Sequence, residues 1–139
     1  MTDSPHDFLN PAGWKPAQGY ANAVVSRPGR TIWLGGLVGW DDQQVFHSDD
    51  FIEQTDRILG SIVTLLAEAG AGPQHLVRMT WYVVDKQEYL SRMRDLGAVY
   101  RTHLGRHFPA MSLVQVAGLV EDRARLEIEA TAVLPDPAP

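Results

Sequence analysis

ARLEIEATAV, residues 124–133, alternates without a fault: Leu126, Ile128, Ala130 and Ala132 are apolar, while Arg125, Glu127, Glu129 and Thr131 are polar. A period of two puts successive side chains on opposite faces of a strand, so one face of this stretch belongs to a core and the other to water or a partner. Working backwards, 110–117 reads as a strand joined to it by the polar connection 118–123. Residues 76–84 are rich in β-branched and aromatic side chains, with Val77, Met79, Trp81 and Val83 on one face.

Two segments carry the helical period instead. In 51–69, Phe51, Thr55, Ile58, Leu59, Ile62, Leu66 and Ala69 recur at three- and four-residue spacing. Asp50 with Glu53 resembles a capping box, and Gly70, Gly72 and Pro73 end the helix. A second helix is predicted over 86–104, capped by Asp85, with the stripe Tyr89, Met93, Leu96, Tyr100 and Leu104 and a stop at Gly105. Ahead of both helices, 20–26 and 31–35 are short extended runs. Arg27-Pro28-Gly29-Arg30 between them predicts a hairpin, and 38–40 a further short strand.

The order β-β-(β)-α-β-α-β-β makes this an α+β chain. Right-handed crossovers place both helices on one face of a single mixed sheet. The other face is then uncovered, which predicts a homo-oligomer of closed rotational symmetry with sites between subunits. Residues 1–13 read as a loose arm broken by Pro5 and Pro11, residues 14–134 as one domain, and 135–139 as a Pro-rich tail.

The chain has 139 residues, no cysteine and a net charge of −5. Disulfides, thiolate metal sites and a cysteine nucleophile are excluded. Lys15 and Lys86 are the two lysines and no basic run occurs, which argues against nucleic-acid binding. No apolar stretch approaches the roughly 20 residues of a membrane span, and no signal peptide is visible, so the expectation is a cytoplasmic protein without membrane contact.

Glu127 and Glu129 share a strand face about 7 Å apart. A carboxylate there could handle a proton or a water in an interfacial cleft, or it could belong to a polar face paired with Arg125. Gly35-Gly36 could present backbone N–H groups to a ligand, or form a bulge. His103 and His107 are four apart, a spacing that can share a metal, but Gly105 ends the helix between them and no metal is expected. Trp14, Tyr20 and Trp40, in or beside loops, could stack on a ligand or act as buried anchors. Ser112 has no obvious base and no nucleophile elbow around it.

Several stretches together carry a family resemblance: Gly19-Tyr20-Ala21-Asn22-Ala23-Val24, Leu34-Gly35-Gly36, Leu66-Ala67-Glu68-Ala69-Gly70-Ala71, the run 77–85, Phe108-Pro109-Ala110 and Leu126-Glu127-Ile128-Glu129-Ala130. On these the chain resembles the RidA (YjgF-like) family of imine and enamine deaminases from about residue 19 to 133. The resemblance implies a chorismate-mutase-like α+β fold, a homotrimer with a small-molecule cleft at each interface, hydrolysis of enamines or imines to keto acids and ammonia, and no cofactor. It also implies roles. Glu127 matches the glutamate that positions water, Tyr20 the tyrosine lining the cleft, and Gly36 the turn glycine.

The departures are as informative. Met111 stands where the family has its carboxylate-clamping arginine, Gly35 replaces a serine, Leu37 a glutamine, and Gly97 a common asparagine. Methionine cannot supply the bidentate donor pair of arginine, so binding of a small anionic enamine should fall by one to two decades. Arg106, Arg123 and Arg125 lie nearby in sequence, but none aligns with position 111. Two expectations follow. The chain acts on a larger, more apolar enamine or imine through Glu127, with Tyr20, Gly35, Gly36, Leu37, Gly97 and Met111 lining the ligand site, or it is a non-catalytic metabolite-binding regulator. Ribonuclease activity, attached to some relatives, fits the acidic charge poorly.

Overall fold

The 124–133 run becomes an inner strand of a mixed sheet. The computed structural model describes residues 3–138, leaving Met1, Thr2 and Pro139 of the arm and tail outside it. In chain order the strands are β1 (Asp7–Leu9), β2 (Ala23–Val25), β3 (Gly29–Val38), β4 (Leu76–Val83), β5 (Ala110–Gln115) and β6 (Leu126–Pro135). The helices are α1 (Phe51–Glu68), α2 (Lys86–Ser91) and α3 (Met93–Leu104), with a 3-10 turn at Pro73–His75. Four strands form one sheet in the order β3-β6-β4-β5. β6 runs antiparallel to both neighbours and β4 parallel to β5.

The alternation of β6 appears directly in its burial. Leu126, Ile128, Ala130 and Ala132 are buried, and Glu127, Glu129 and Thr131 lie on the other face. Met79, Trp81 and Val83 of β4 join the buried side, on which α1 lays Ile58, Leu59, Ile62 and Leu66, all fully buried. Leu96, Tyr100 and Leu104 of α3 complete the same cluster. Asp50 caps α1 by accepting the Glu53 backbone N–H at 3.1 Å, while the Glu53 carboxylate takes the Ser48 hydroxyl rather than closing a capping box. The sheet face opposite the helices carries Trp33, Arg78, Thr80, Tyr82, Val114, Glu127 and Glu129, and Trp33 is 77% exposed.

Four expectations are corrected. The first concerns the hairpin: β2 pairs with β1, and β3 with β6. Gly29 looked like a turn glycine, but a Cβ there would overlap the backbone of Leu134, so glycine is needed for close approach to β6. Second, residues within 1–13 are not a loose arm throughout. Asp7–Leu9 is a strand, and the buried His6 beside it donates from Nε2 to Val133 O (2.9 Å) and accepts the Arg27 N–H at Nδ1 (3.1 Å). Third, 31–35 and 38–40 are one ten-residue strand with a bulge between Leu34 and Leu37, and at its far end β6 runs on to Pro135.

Fourth, the 86–104 helix is two helices, giving three α-helices among the described residues. Arg92 leaves the helical region at φ −124°. Its guanidinium bonds Asp50 Oδ1 (2.8 Å) and Asp95 Oδ2 (3.0 Å), tying the break to the capped start of α1.

Candidate functional site

The bulge in β3 lies against Glu127. Leu34 faces Ala130 and Leu37 faces Ile128, so three steps along β3 match two along β6, and Gly35-Gly36 absorb the surplus residue. A Cβ on Gly36 would overlap the Glu127 carboxylate, whereas Gly35 opens on free space. Only glycine therefore lets Glu127 lie along the bulge. Glu127 is half-buried and has neither a hydrogen bond nor an ion pair among the described residues.

Its neighbours on that face are otherwise engaged. The Tyr82 hydroxyl donates to Glu129 Oε1 at 2.7 Å, and this bond to a carboxylate raises the phenol above its ordinary pKa. Arg125, the partner expected for this face, binds Glu88 Oε1 instead, through Nη2 at 2.5 Å and Nε at 3.0 Å. Leu37 is not brought to Glu127, because it packs against the core on the helix side of the sheet.

A second group forms on that helix side. Tyr20, Gly97 and Met111 line one cavity of about 390 Å³ with Trp81, Phe108 and Leu113. Met111 lies in register with Met79, whose side chain is fully buried in the core. Tyr20 precedes β2 rather than lying in a strand. Its neighbour Ala21 donates its N–H to Pro109 O at 3.0 Å and bridges Ala110, which stitches the tyrosine's loop to the start of β5. Tyr20, Gly97 and Met111 thus meet, but Glu127 and Gly36 sit across the sheet from them.

Two members of the cavity wall escaped the sequence reading. Trp81, read as part of one face of the 76–84 strand, is 3% exposed, and its indole Nε1–H has no acceptor among the described residues. Arg101 also lines the wall, with Nη1 3.2 Å from the point a Gly97 Cβ would occupy. The signal was its place four residues beyond Gly97 on one helix, which puts both on one face.

The remaining candidates separate. Arg123 bonds Asp49 Oδ1 (2.8 Å) and Phe46 O (3.0 Å), and Arg106 lines a neighbouring recess beside Tyr20. His103 pairs with Asp56 Oδ1 (2.6 Å), while His107, beyond Gly105 at φ +63°, donates Nε2–H to Leu76 O (2.8 Å). Trp40 packs against Phe46, Trp14 is 59% exposed, and Ser112 is exposed at the edge of the Met111 cavity.

Comparison with known proteins gives a consistent pattern. Residues 12–134 match the family described as Endoribonuclease L-PSP. A RutC family protein of Pyrococcus abyssi is 31% identical over 119 residues, covering 85% of this chain and 88% of its own length. The Yersinia pestis protein YyfB, a Rid-family member of unknown function, superposes with a TM-score of 0.83 at 28% identity, over 93% of this chain and 98% of that one. Rv2704 of Mycobacterium tuberculosis, from the YjgF/YER057c/UK114 family, gives a TM-score of 0.61 at 34% identity, over 84% and 87% of the two chains. No helix among the described residues is long and apolar enough to cross a membrane.

Proposed function

The chain belongs to the endoribonuclease L-PSP family, whose solved relatives also carry the names Rid and YjgF/YER057c/UK114, and on that premise we propose that it hydrolyses a reactive enamine or imine in a cleft shared by two subunits of a homotrimer. One observation carries the reading. Glu127, a carboxylate with no partner of its own among the described residues, lies on the uncovered sheet face beside a bulge that only glycine permits, while Tyr20, Gly97 and Met111 share a cavity on the opposite face. Neither half is a reaction site alone. Packing the uncovered face of one copy against the cavity side of the next joins them, and cyclic symmetry repeats that junction.

In the joined cleft, Glu127 holds and activates the water that adds to the C=N carbon, then returns the proton to the departing nitrogen, so an imine and water leave as a carbonyl compound and ammonia. Tyr20 and the Gly36 backbone orient the ligand. With Met111 in place of the arginine, the substrate is larger and more apolar than a small amino-acid-derived enamine.

The test is ammonia release from a panel of enamines generated in place, small and bulky, with wild type, Glu127→Ala and no protein. We expect wild type to accelerate release from bulky members, and Glu127→Ala to lower that rate by roughly 10²–10⁴-fold. Equal rates in all three arms would refute the reading. Met111 supports one alternative, a trimer that holds a metabolite without turnover. Ligand-dependent thermal stabilisation that persists in Glu127→Ala, with no ammonia released, would establish it. A ribonuclease reading has less behind it, since the chain carries a net charge of −5 and two lysines.

A further inference from the structure

We infer that Arg101 is the anion-recognising residue of the Met111 cavity, so that the ligand is a carboxylate with an apolar body whose charged end lies against α3 rather than against position 111. This rests on the cleft reading above and names the ligand class for it. Methionine at 111 removes one cation from the cavity wall, and glycine at 97 admits another. Residues four apart share a helix face, and with no side chain at Gly97 the Arg101 guanidinium lies over the gap, Nη1 3.2 Å from where a Cβ would stand.

Arg101 is exposed and has neither a hydrogen bond nor an ion pair among the described residues. By contrast, Arg92, Arg123 and Arg125 are each committed to a carboxylate. Among the described residues, Arg101 is also the sole basic residue lining this cavity, whose other walls include Met111, Leu113, Phe108 and Met93. Trp81 also lines the cavity, but its indole N–H is buried away from the cavity surface. A cavity with one unanswered guanidinium and a mainly apolar lining calls for a ligand that brings an acceptor pair on a hydrophobic frame. One guanidinium in a chain of net charge −5 suits a monoanion, and its planar fork matches a carboxylate. The volume of about 390 Å³ lies within the range of small-molecule sites and leaves room for an aryl or branched body between the two ends.

The experiment is calorimetric titration of the full-length oligomer with 4-phenylbutanoate, its uncharged amide, and acetate. The account expects 4-phenylbutanoate to bind at least ten-fold more tightly than either of the other two. Arg101→Gln should weaken the carboxylate by roughly ten- to hundred-fold while leaving the amide unchanged, with Arg101→Lys in between. Gly97→Ala supplies a second, opposed readout. Its methyl crowds Nη1 and should weaken carboxylate binding several-fold while raising the melting temperature, since alanine favours a helix over glycine.

Equal binding of acid and amide, no binding of the acid at millimolar concentration, or a preference untouched by Arg101→Gln would overturn the inference. So would a preference lost in Arg106→Gln instead, or an Arg101→Gln effect traceable to dissociation of the oligomer. The acid-over-amide preference should survive Glu127→Ala. A preference indifferent to Arg101 beside Glu127-dependent ammonia release therefore refutes only the anion assignment, and the converse refutes only the reaction.

Discussion

Met111 and Glu127 divide the site between them. In the proposed reaction Glu127 is the acting carboxylate, and its surroundings leave it unengaged, because Arg125 is held by Glu88 and Tyr82 by Glu129. Met111 withdraws the clamp expected for a small carboxylate substrate. Met111→Arg adds a bidentate donor to the cavity wall, a contribution of about 1.5–3 kcal/mol. We expect that variant to gain ten-fold or more in ammonia release from small amino-acid-derived enamines relative to wild type. An unchanged ratio of small to bulky substrates would show that residue 111 does not set specificity. At this scale the sequence named the residues that the structure places in two groups, Glu127 with Gly36 on one sheet face and Tyr20 with Gly97 and Met111 on the other. Arg101 was passed over because Gly97 was weighed only as a missing asparagine, although the four-residue spacing already puts Arg101 on the same helix face, over the gap that glycine leaves.

The bulge in β3 is the element that aims the carboxylate. A bulge was one of the two readings open for Gly35-Gly36, but 31–35 and 38–40 were still taken as separate strands, whereas a bulge keeps pairing on both sides. The structural consequence is specific to position 36. A methyl there collides with the Glu127 side chain, so Gly36→Ala must displace the carboxylate. We expect turnover to fall by at least ten-fold with the melting temperature shifted by only a few degrees, whereas Gly35→Ala, with open space at its Cβ, should retain activity. Equal effects at the two positions would contradict the bulge as a positioning device.

The helices tell a similar story. The 51–69 periodicity predicted α1 nearly to the residue, because every buried position falls on one stripe. The continuous stripe over 86–104 concealed a break, because Arg92 trades one helical turn for bonds to Asp50 and Asp95, a tertiary preference that local spacing cannot encode.

For the whole molecule, strand alternation established which face of the sheet is core. It could not show that β1 would form, since that strand depends on β2 as its partner and on a buried His6 beside it. Two histidines, His107 buried and His75 partly buried, also give the fold a pH dependence. Burial holds His107 below its ordinary pKa, and burial with the nearby His6 does the same for His75. The folded state thus binds fewer protons than the unfolded one. Stability is fully present above about pH 6.5, the unfolded value, and declines as pH falls through the folded values, by at most about 1.4 kcal/mol per pH unit for each group. Urea unfolding from pH 8 to pH 5 should show this fall. His107→Gln, which keeps a donor for Leu76 O without titrating, should flatten it. A slope unaltered in that variant would remove His107 from the explanation.

The proposed cleft needs an assembly that covers this face. Light scattering should give about 46 kDa, three times the 15.4 kDa chain, and Trp33→Asp, on the exposed side of β3, should lower it, whereas a monomer mass for wild type would contradict the shared cleft.

The most direct test of a shared cleft is complementation between two inactive variants. Glu127→Ala spoils one half of each site and Gly97→Trp fills the other. When the two proteins are unfolded, mixed in equal amounts and refolded, cyclic pairing returns one intact cleft for about every four formed. The account predicts that the mixture regains roughly a quarter of wild-type ammonia release. A mixture whose hybrid trimers are verified by mass, yet which stays as inactive as its parents, would contradict it.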